Sequence, residues 1–179
     1  MPTTNSFPVK KKIAFVLLEL LQDKSLSSIS VTELMNKAGL KRQTFYQHFI
    51  DLDDAVVWLY SQKESKIADT FFAQKDFIHT VSLLLEKMAE DRDFYKNVMS
   101  GLHNSGAFED AFFTILFNRN KLWIGIANID QQCEYVLKIY CHGFTSVVLE
   151  WLASNSKISA EKMAEYLFAA LPQRLRQFY

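Results

Sequence analysis

Residues 31–49 leave this chain few folds to choose from. Val31, Leu34, Met35 and Ala38 recur at i, i+3, i+4 and i+7, which is one face of a helix. Thr32 stands at its start, where a side-chain oxygen can accept from a free backbone N–H. Gly39 ends it, because glycine enters a left-handed C-cap without a Cβ penalty. A second helix follows over Lys41 to His48, burying Phe45 and Phe49, with Leu40 just before it. Arg42, Gln43, Thr44, Tyr46 and Gln47 are left to face outward, more polar surface than packing needs. Helix, glycine turn and polar second helix make a helix-turn-helix, a plan whose second helix enters the major groove of DNA.

The rest of the chain fits an all-α frame. Five glycines and three prolines in 179 residues are few for an all-β protein. About half of the residues are apolar and 14% are aromatic, so the chain can build a core. No apolar run reaches the roughly 18 residues of a membrane span, and residues 1–9 lack the apolar stretch of a signal peptide. Both point to a cytoplasmic protein with no membrane partner. Cys133 and Cys141 have neither metal nor disulfide spacing and suit a reduced compartment. Formal charge is zero, yet residues 1–50 hold seven Lys/Arg against three Asp/Glu, a net of +4 that leaves −4 for the remainder. A basic head on an acidic body suits a DNA-reading domain joined to one that does not touch DNA.

In order along the chain, a first helix is predicted over Pro8 to Asp23, with Ile13, Val16, Leu17, Leu20 and Leu21 as its buried stripe. Lys10, Lys11 and Lys12 cluster at its start, as a solvated charge run or as contacts to phosphates. Leu26 and Ile29 plug the small three-helix core that closes the DNA-binding domain at residue 50. Asp51 is a good N-cap for a connecting helix over 51–72. Further helices are predicted over 76–90, 92–100, 107–124, 130–154 and 159–177, giving a helical dimerisation and effector domain within 51–179. The last two carry apolar residues on more than one face, as a helix buried on one side only would not.

The segment Gly-Leu-Lys-Arg-Gln-Thr-Phe-Tyr-Gln-His-Phe at 39–49 resembles the recognition-helix signature of the TetR family of transcriptional regulators, over about Lys10 to Tyr60. Its Arg-Gln-Thr-Phe-Tyr wording resembles the DhaS-like subgroup of that family. The resemblance implies a homodimer joined through the last two long helices, and an effector cavity in the C-terminal domain. It also implies a lysine three residues past the motif phenylalanine that touches a phosphate. This chain departs there, with Leu52 among Asp51, Asp53 and Asp54. Carboxylates near the DNA backbone repel it, so one usual anchor is missing.

The DNA-facing residues follow from chemistry. Arginine can bond guanine O6 and N7 together and glutamine can do the same with adenine N6 and N7, which singles out Arg42, Gln43 and Gln47. Thr44 suits a phosphate or a thymine methyl, while Thr32, Lys41, Tyr46 and His48 suit phosphates, which set register without reading sequence. Paired heads on a dimer would read half-sites of a pseudo-palindromic duplex about 34–36 Å apart.

For an effector, Tyr95, His103, Phe113, Phe117, Trp123 and Tyr140 are candidates to line an apolar pocket, against the plain alternative of an aromatic core. No phosphate loop, HExxH, CxxC or nucleophile elbow occurs, and the four histidines are scattered, so no catalytic, cofactor or metal site is expected. The reading is a TetR-like regulator, a repressor released by a small-molecule effector. The alternatives are a DhaS-like activator controlled by a protein partner and a nucleoid-associated DNA-binding protein without effector.

Overall fold

The N-terminal helix α1 spans Ser6–Asp23 in a computed structural model that describes residues 6–71, 76–100, 105–154 and 156–179. It is followed by α2 (Val31–Lys37), α3 (Arg42–Tyr46), α4 (Leu52–Phe71), α5 (Phe77–Glu90), α6 (Arg92–Met99) and α7 (Ser105–Ile124). The chain closes with α8 (Gln131–Ala153), α9 (Ala160–Ala169) and α10 (Gln173–Arg176). Short 3₁₀ turns occupy Leu26–Ser28 and Ile126–Asn128. The fold is all-α, with no strand among the described residues.

Two compact units divide the chain, one of residues 1–63 and 93–108, the other of 64–92 and 109–179. In the first, Ile13, Leu17 and Leu21 of α1, Leu34 and Met35 of α2 and Phe45 of α3 are fully buried, so the periodic positions are the core. Leu26 and Ile29 plug it as expected. Asn97 of α6 donates to the Leu21 carbonyl at 3.0 Å, satisfying an acceptor that the end of α1 leaves open.

The second unit packs α5 along α9 and α10 against α8. Asp76, Asp130 and Ser159 cap α5, α8 and α9 by accepting from His79, Cys133 and Lys162 N–H groups at 3.1, 2.7 and 3.1 Å. Arg92 closes the far end of α8, donating to the Trp151 and Ser154 carbonyls at 3.0 and 2.7 Å with its guanidinium over the Trp151 ring.

The single helix predicted over 159–177 is two helices in the structure. Pro172 lacks an N–H and disfavours helical geometry at Leu171, so α9 stops at Ala169 and α10 restarts after the proline. Arg176 then donates to the Ala169 and Leu171 carbonyls at 3.0 Å each, covering acceptors that the break exposes. No described helix is long and apolar enough to cross a membrane.

Candidate nucleic-acid interface

The turn between α2 and α3 sets the geometry. Gly39 sits at φ +64°, its N–H donates to the Asn36 carbonyl at 3.0 Å, and the Leu40 N–H donates to the Met35 carbonyl at 2.9 Å. That pair of bonds is a Schellman motif, which a left-handed residue completes. At the other end of α2 the cap is Ser30, whose hydroxyl accepts from the Glu33 N–H at 3.1 Å. Thr32 is therefore not the cap expected from the sequence. It lies inside the first turn, with its side chain exposed.

The second helix is shorter than the predicted span from Lys41 to His48. Lys41 is the extended residue before it, α3 covers Arg42–Tyr46, and Gln47 and His48 continue as a turn held by the Phe45 carbonyl. Phe45 and Phe49 point inward, and Leu40 is half-buried. Lys41, Arg42, Gln43, Tyr46 and Gln47 are exposed, while Thr44 and His48 are half-buried. Of the predicted outward set, Arg42, Gln43, Tyr46 and Gln47 are solvent-facing, whereas Thr44 is half-buried. Arg42 and Tyr46, one turn apart, are already engaged with each other. The guanidinium donates to the phenol oxygen at 3.3 Å and lies 5.8 Å from the ring centre.

The lysines of α1 are not equivalent. Lys10 lies 5.0 Å from the Phe49 ring centre and 5.9 Å from that of Trp58, and Lys11 lies 4.5 Å from that of Phe7. A cation on an aromatic face is worth about 0.5–1 kcal/mol where exposed, enough to orient both without immobilising them. Lys12 is exposed and held by no described partner.

The acidic stretch after α3 caps α4, with Asp51 as the N-cap expected from the sequence. Asp51 accepts from the Asp54 N–H at 2.8 Å, and Asp54 accepts from the Ile50 N–H at 3.0 Å. These two bonds hold the start of α4, where carboxylates also meet the positive end of the helix dipole. Leu52 is half-buried between them, and Ile50, which sequence reasoning passed over, is 81% exposed beside the recognition helix.

A family model, TetR_C_8, described as the transcriptional regulator C-terminal region, matches residues 75–173, more than half of the chain. The chain belongs to the TetR family of transcriptional regulators. A relative of known role, the HTH-type dhaKLM operon transcriptional activator DhaS of Lactococcus lactis subsp. lactis (strain IL1403), is 26% identical over 93 residues, 52% of this chain and half of that protein's length. Solved structures of similar fold include the dihydroxyacetone kinase operon activator DhaS, with TM-score 0.65 and 19% identity over 94% of this chain and 97% of that one. The fatty acid degradation regulator FadR of Bacillus halodurans gives TM-score 0.60 and 14% identity over 94% and 97%. NalD, the secondary repressor of the MexAB-OprM multidrug efflux pump in Pseudomonas aeruginosa, gives 0.52 and 16% over 93% and 95%.

In this TetR-family chain the described residues expected to line an effector pocket each make ring or hydrogen-bond contacts with protein neighbours. Tyr95 is buried in the first unit against Phe94 and Phe108, with ring centres 5.1 and 6.2 Å away. Phe113 stacks on His142 at 3.8 Å and on Phe117 at 5.5 Å. Trp123 donates to the Phe178 carbonyl at 2.7 Å and stacks on Tyr179. Tyr140 donates to the Leu167 carbonyl at 2.8 Å, and burial pushes its phenol pKa up. His103 lies outside the described residues. Cys141 is buried, which pushes its thiol up to about 12, so beside His142 it stays a protonated packing group.

An open apolar stripe runs along the outer face of α8, among exposed Lys138, His142, Ser146 and Glu150. Tyr135 is 61%, Ile139 71% and Val147 45% exposed, with exposed Gly143 between them, and Tyr166 of α9 is 51% exposed. The opposite face of α8, from Cys133 through Leu137, Cys141, Phe144 and Val148 to Leu152, is buried. This is the two-faced pattern expected from the sequence.

Proposed function

We propose that this chain is a sequence-specific DNA-binding transcriptional regulator that acts in the cytoplasm as a homodimer, and that it is a repressor released by an effector. The observation that carries the reading is the Gly39 turn. It fixes α3 so that Phe45 and Phe49 are buried while Lys41, Arg42, Gln43, Tyr46 and Gln47 share the outward surface. Arg42, Gln43 and Gln47 are the base-reading groups, able to satisfy purine edges in pairs of hydrogen bonds. Thr32, Lys41, Thr44, Tyr46 and His48, with Lys12 from α1, hold the phosphates.

The open apolar stripe on α8 supports pairing with a second copy, since a face of this kind costs solubility unless covered. An isologous contact there would set two α3 helices on the two halves of an inverted repeat. An effector acts by binding one dimer arrangement better than the other.

A second reading is an activator controlled by a protein partner, as the name of the Lactococcus relative describes activation for that protein. The test is selection of bound sequences from a random duplex library, with Arg42→Ala/Gln43→Ala run in parallel. Enrichment of an inverted repeat that the variant loses supports a dimeric reader. Binding without sequence preference at physiological salt would remove it in favour of a nonspecific, nucleoid-type protein.

A further inference from the structure

The segment after α10 turns into the second unit. Phe178 and Tyr179 lie beyond that helix, and their N–H groups donate to the Leu175 and Arg176 carbonyls at 3.0 and 3.3 Å. The Tyr179 ring stands edge-on to Phe77 of α5, with ring centres 5.3 Å apart, and parallel to Trp123 of α7 at 6.3 Å. Its hydroxyl donates to the side-chain oxygen of Asn120, and the Trp123 indole N–H donates to the Phe178 carbonyl at 2.7 Å. Burial pushes the Tyr179 phenol pKa up, and Cys141, Tyr140 and Cys133 of α8 add to the shift, so the hydroxyl end lies deep in the unit.

The tail and the helix before it are held by different groups. Leu175 is fully buried and Arg176 donates to the Ala169 and Leu171 carbonyls at 3.0 Å each, so α10 keeps its place without Tyr179. The side chains that hold Phe178 and Tyr179 come instead from α5 and α7. They offer an indole face with its N–H, a phenyl edge and an amide oxygen, all uncharged. Apolar walls with a few convergent polar groups are the make-up of a small-molecule site.

We propose that this slot binds a small neutral phenol that also carries a carbonyl group, and that Tyr179 is its displaceable internal occupant. The ligand ring takes the place between Phe77 and Trp123, its hydroxyl donates to Asn120, and its carbonyl accepts from the Trp123 indole. A ligand without the hydroxyl leaves the Asn120 oxygen unpaired, and one without the carbonyl leaves the indole N–H unpaired, each at a cost when buried. A phenolate or carboxylate meets no cation among Phe77, Asn120 and Trp123 and is disfavoured by desolvation. Because the tail competes, the apparent affinity is the intrinsic one scaled by the fraction of molecules whose tail is out. The site deepens the effector half of the function proposed above and rests on that reading for its use in regulation. Binding is measured without DNA, so its failure and a failure of sequence-specific DNA reading are distinguishable.

The probe is N-acetyl-tyrosinamide, whose acetyl carbonyl and phenol reproduce those of Phe178 and Tyr179. It is titrated calorimetrically into the full chain, with N-acetyl-phenylalaninamide as the comparison that lacks the hydroxyl. Saturable binding of one probe per protomer is expected, weaker by about threefold or more for the comparison compound. In NMR spectra of the same samples the Phe178 and Tyr179 signals should move to unstructured positions as the probe binds. Tyr179→Ala should bind the probe roughly tenfold more tightly or better, because no tail competes. Tyr179→Phe keeps the ring and loses the bond to Asn120, so it should bind about threefold more tightly and serves if the alanine variant fails to fold. Asn120→Ala should abolish the preference for the hydroxyl. Binding by Tyr179→Ala with none by the unaltered chain would make Tyr179 a fixed core side chain and overturn the proposal. Equal affinity for the two compounds, or binding that leaves the Phe178 and Tyr179 signals in place, would overturn it as well.

Discussion

Replacing Gly39 by alanine isolates one energy in the recognition turn. The residue sits at φ +64°, and a Cβ built on it meets nothing within 4 Å. No clash contributes, so the cost is purely that of holding an L residue in the left-handed region, about 1–2 kcal/mol. Against it stands the lower entropy of the unfolded chain, which returns about 0.4–1 kcal/mol. The net loss is on the order of 1 kcal/mol, or a fall of about 2–4 °C in Tm for a chain of this length. Asparagine tolerates the same conformation better, so Gly39→Asn should lose less than half as much. The assay is urea unfolding of the three proteins side by side, with operator affinity measured on each once a site is in hand. Because that turn aims α3, affinity should fall in the same order as stability. Alanine that is neutral or stabilising, or asparagine as costly as alanine, would refute the reasoning. Either result would mean that the turn relaxes out of the left-handed region.

Arg42→Ala should relax selectivity at one base position in each half-site and cost about 1–3 kcal/mol there. A uniform loss across all sequences would make Arg42 a phosphate ligand. Leu52→Lys should tighten DNA binding and steepen the slope of log affinity against log salt by about 0.9 for each further phosphate it neutralises, read from affinities at several salt concentrations. Ile139→Asp should shift the protein from dimer to monomer in sedimentation while leaving protomer helicity intact, since the side chain is 71% exposed within its own chain. An unchanged dimer would move the interface off α8. Thr145→Val removes a buried hydroxyl that has no hydrogen-bond partner, so it should raise stability by about 1 kcal/mol in thermal unfolding, whereas a loss would mean that a water satisfies the hydroxyl.

The parts legible in the sequence are those whose cause is local. Gly39, the α2 periodicity and the inward Phe45 and Phe49 all follow from spacing within a few residues, and the structure has them so. The Ser30 cap is equally local, yet sequence reasoning misses it. Ser-x-x-Glu at 30–33 is the usual signature, but Thr32 is also a capping residue type and lies beside the first apolar position. Pro172 is likewise visible, yet the apolar pattern runs through it, and periodicity says nothing of whether the backbone can continue. Pairings across long separations leave no trace. Nothing in the sequence says that Lys10 lies over Trp58, or that Trp123 reaches the carbonyl of Phe178. Aromatic richness states how much ring surface must be buried and not which rings meet. Ser82 is hidden too, because a helix pattern scores a serine as surface while tertiary packing buries this one.

The double cap at the start of α4 also bears on which mutational routes are open to this chain. Asp51 and Asp54 each hold a backbone N–H, so reversing either charge to favour DNA would loosen the start of α4, at about 1 kcal/mol for a lost cap. Leu52 carries no such duty, and a lysine there can lay its stem where the leucine lies and raise its charge into solvent. A lineage selected for tighter operator binding would therefore find one cheap substitution in this segment, flanked by two that are penalised. A lineage selected to keep binding weak and easily reversed could hold the acidic start indefinitely, because the carboxylates that would repel a nearby phosphate are the same ones that keep the helix start whole.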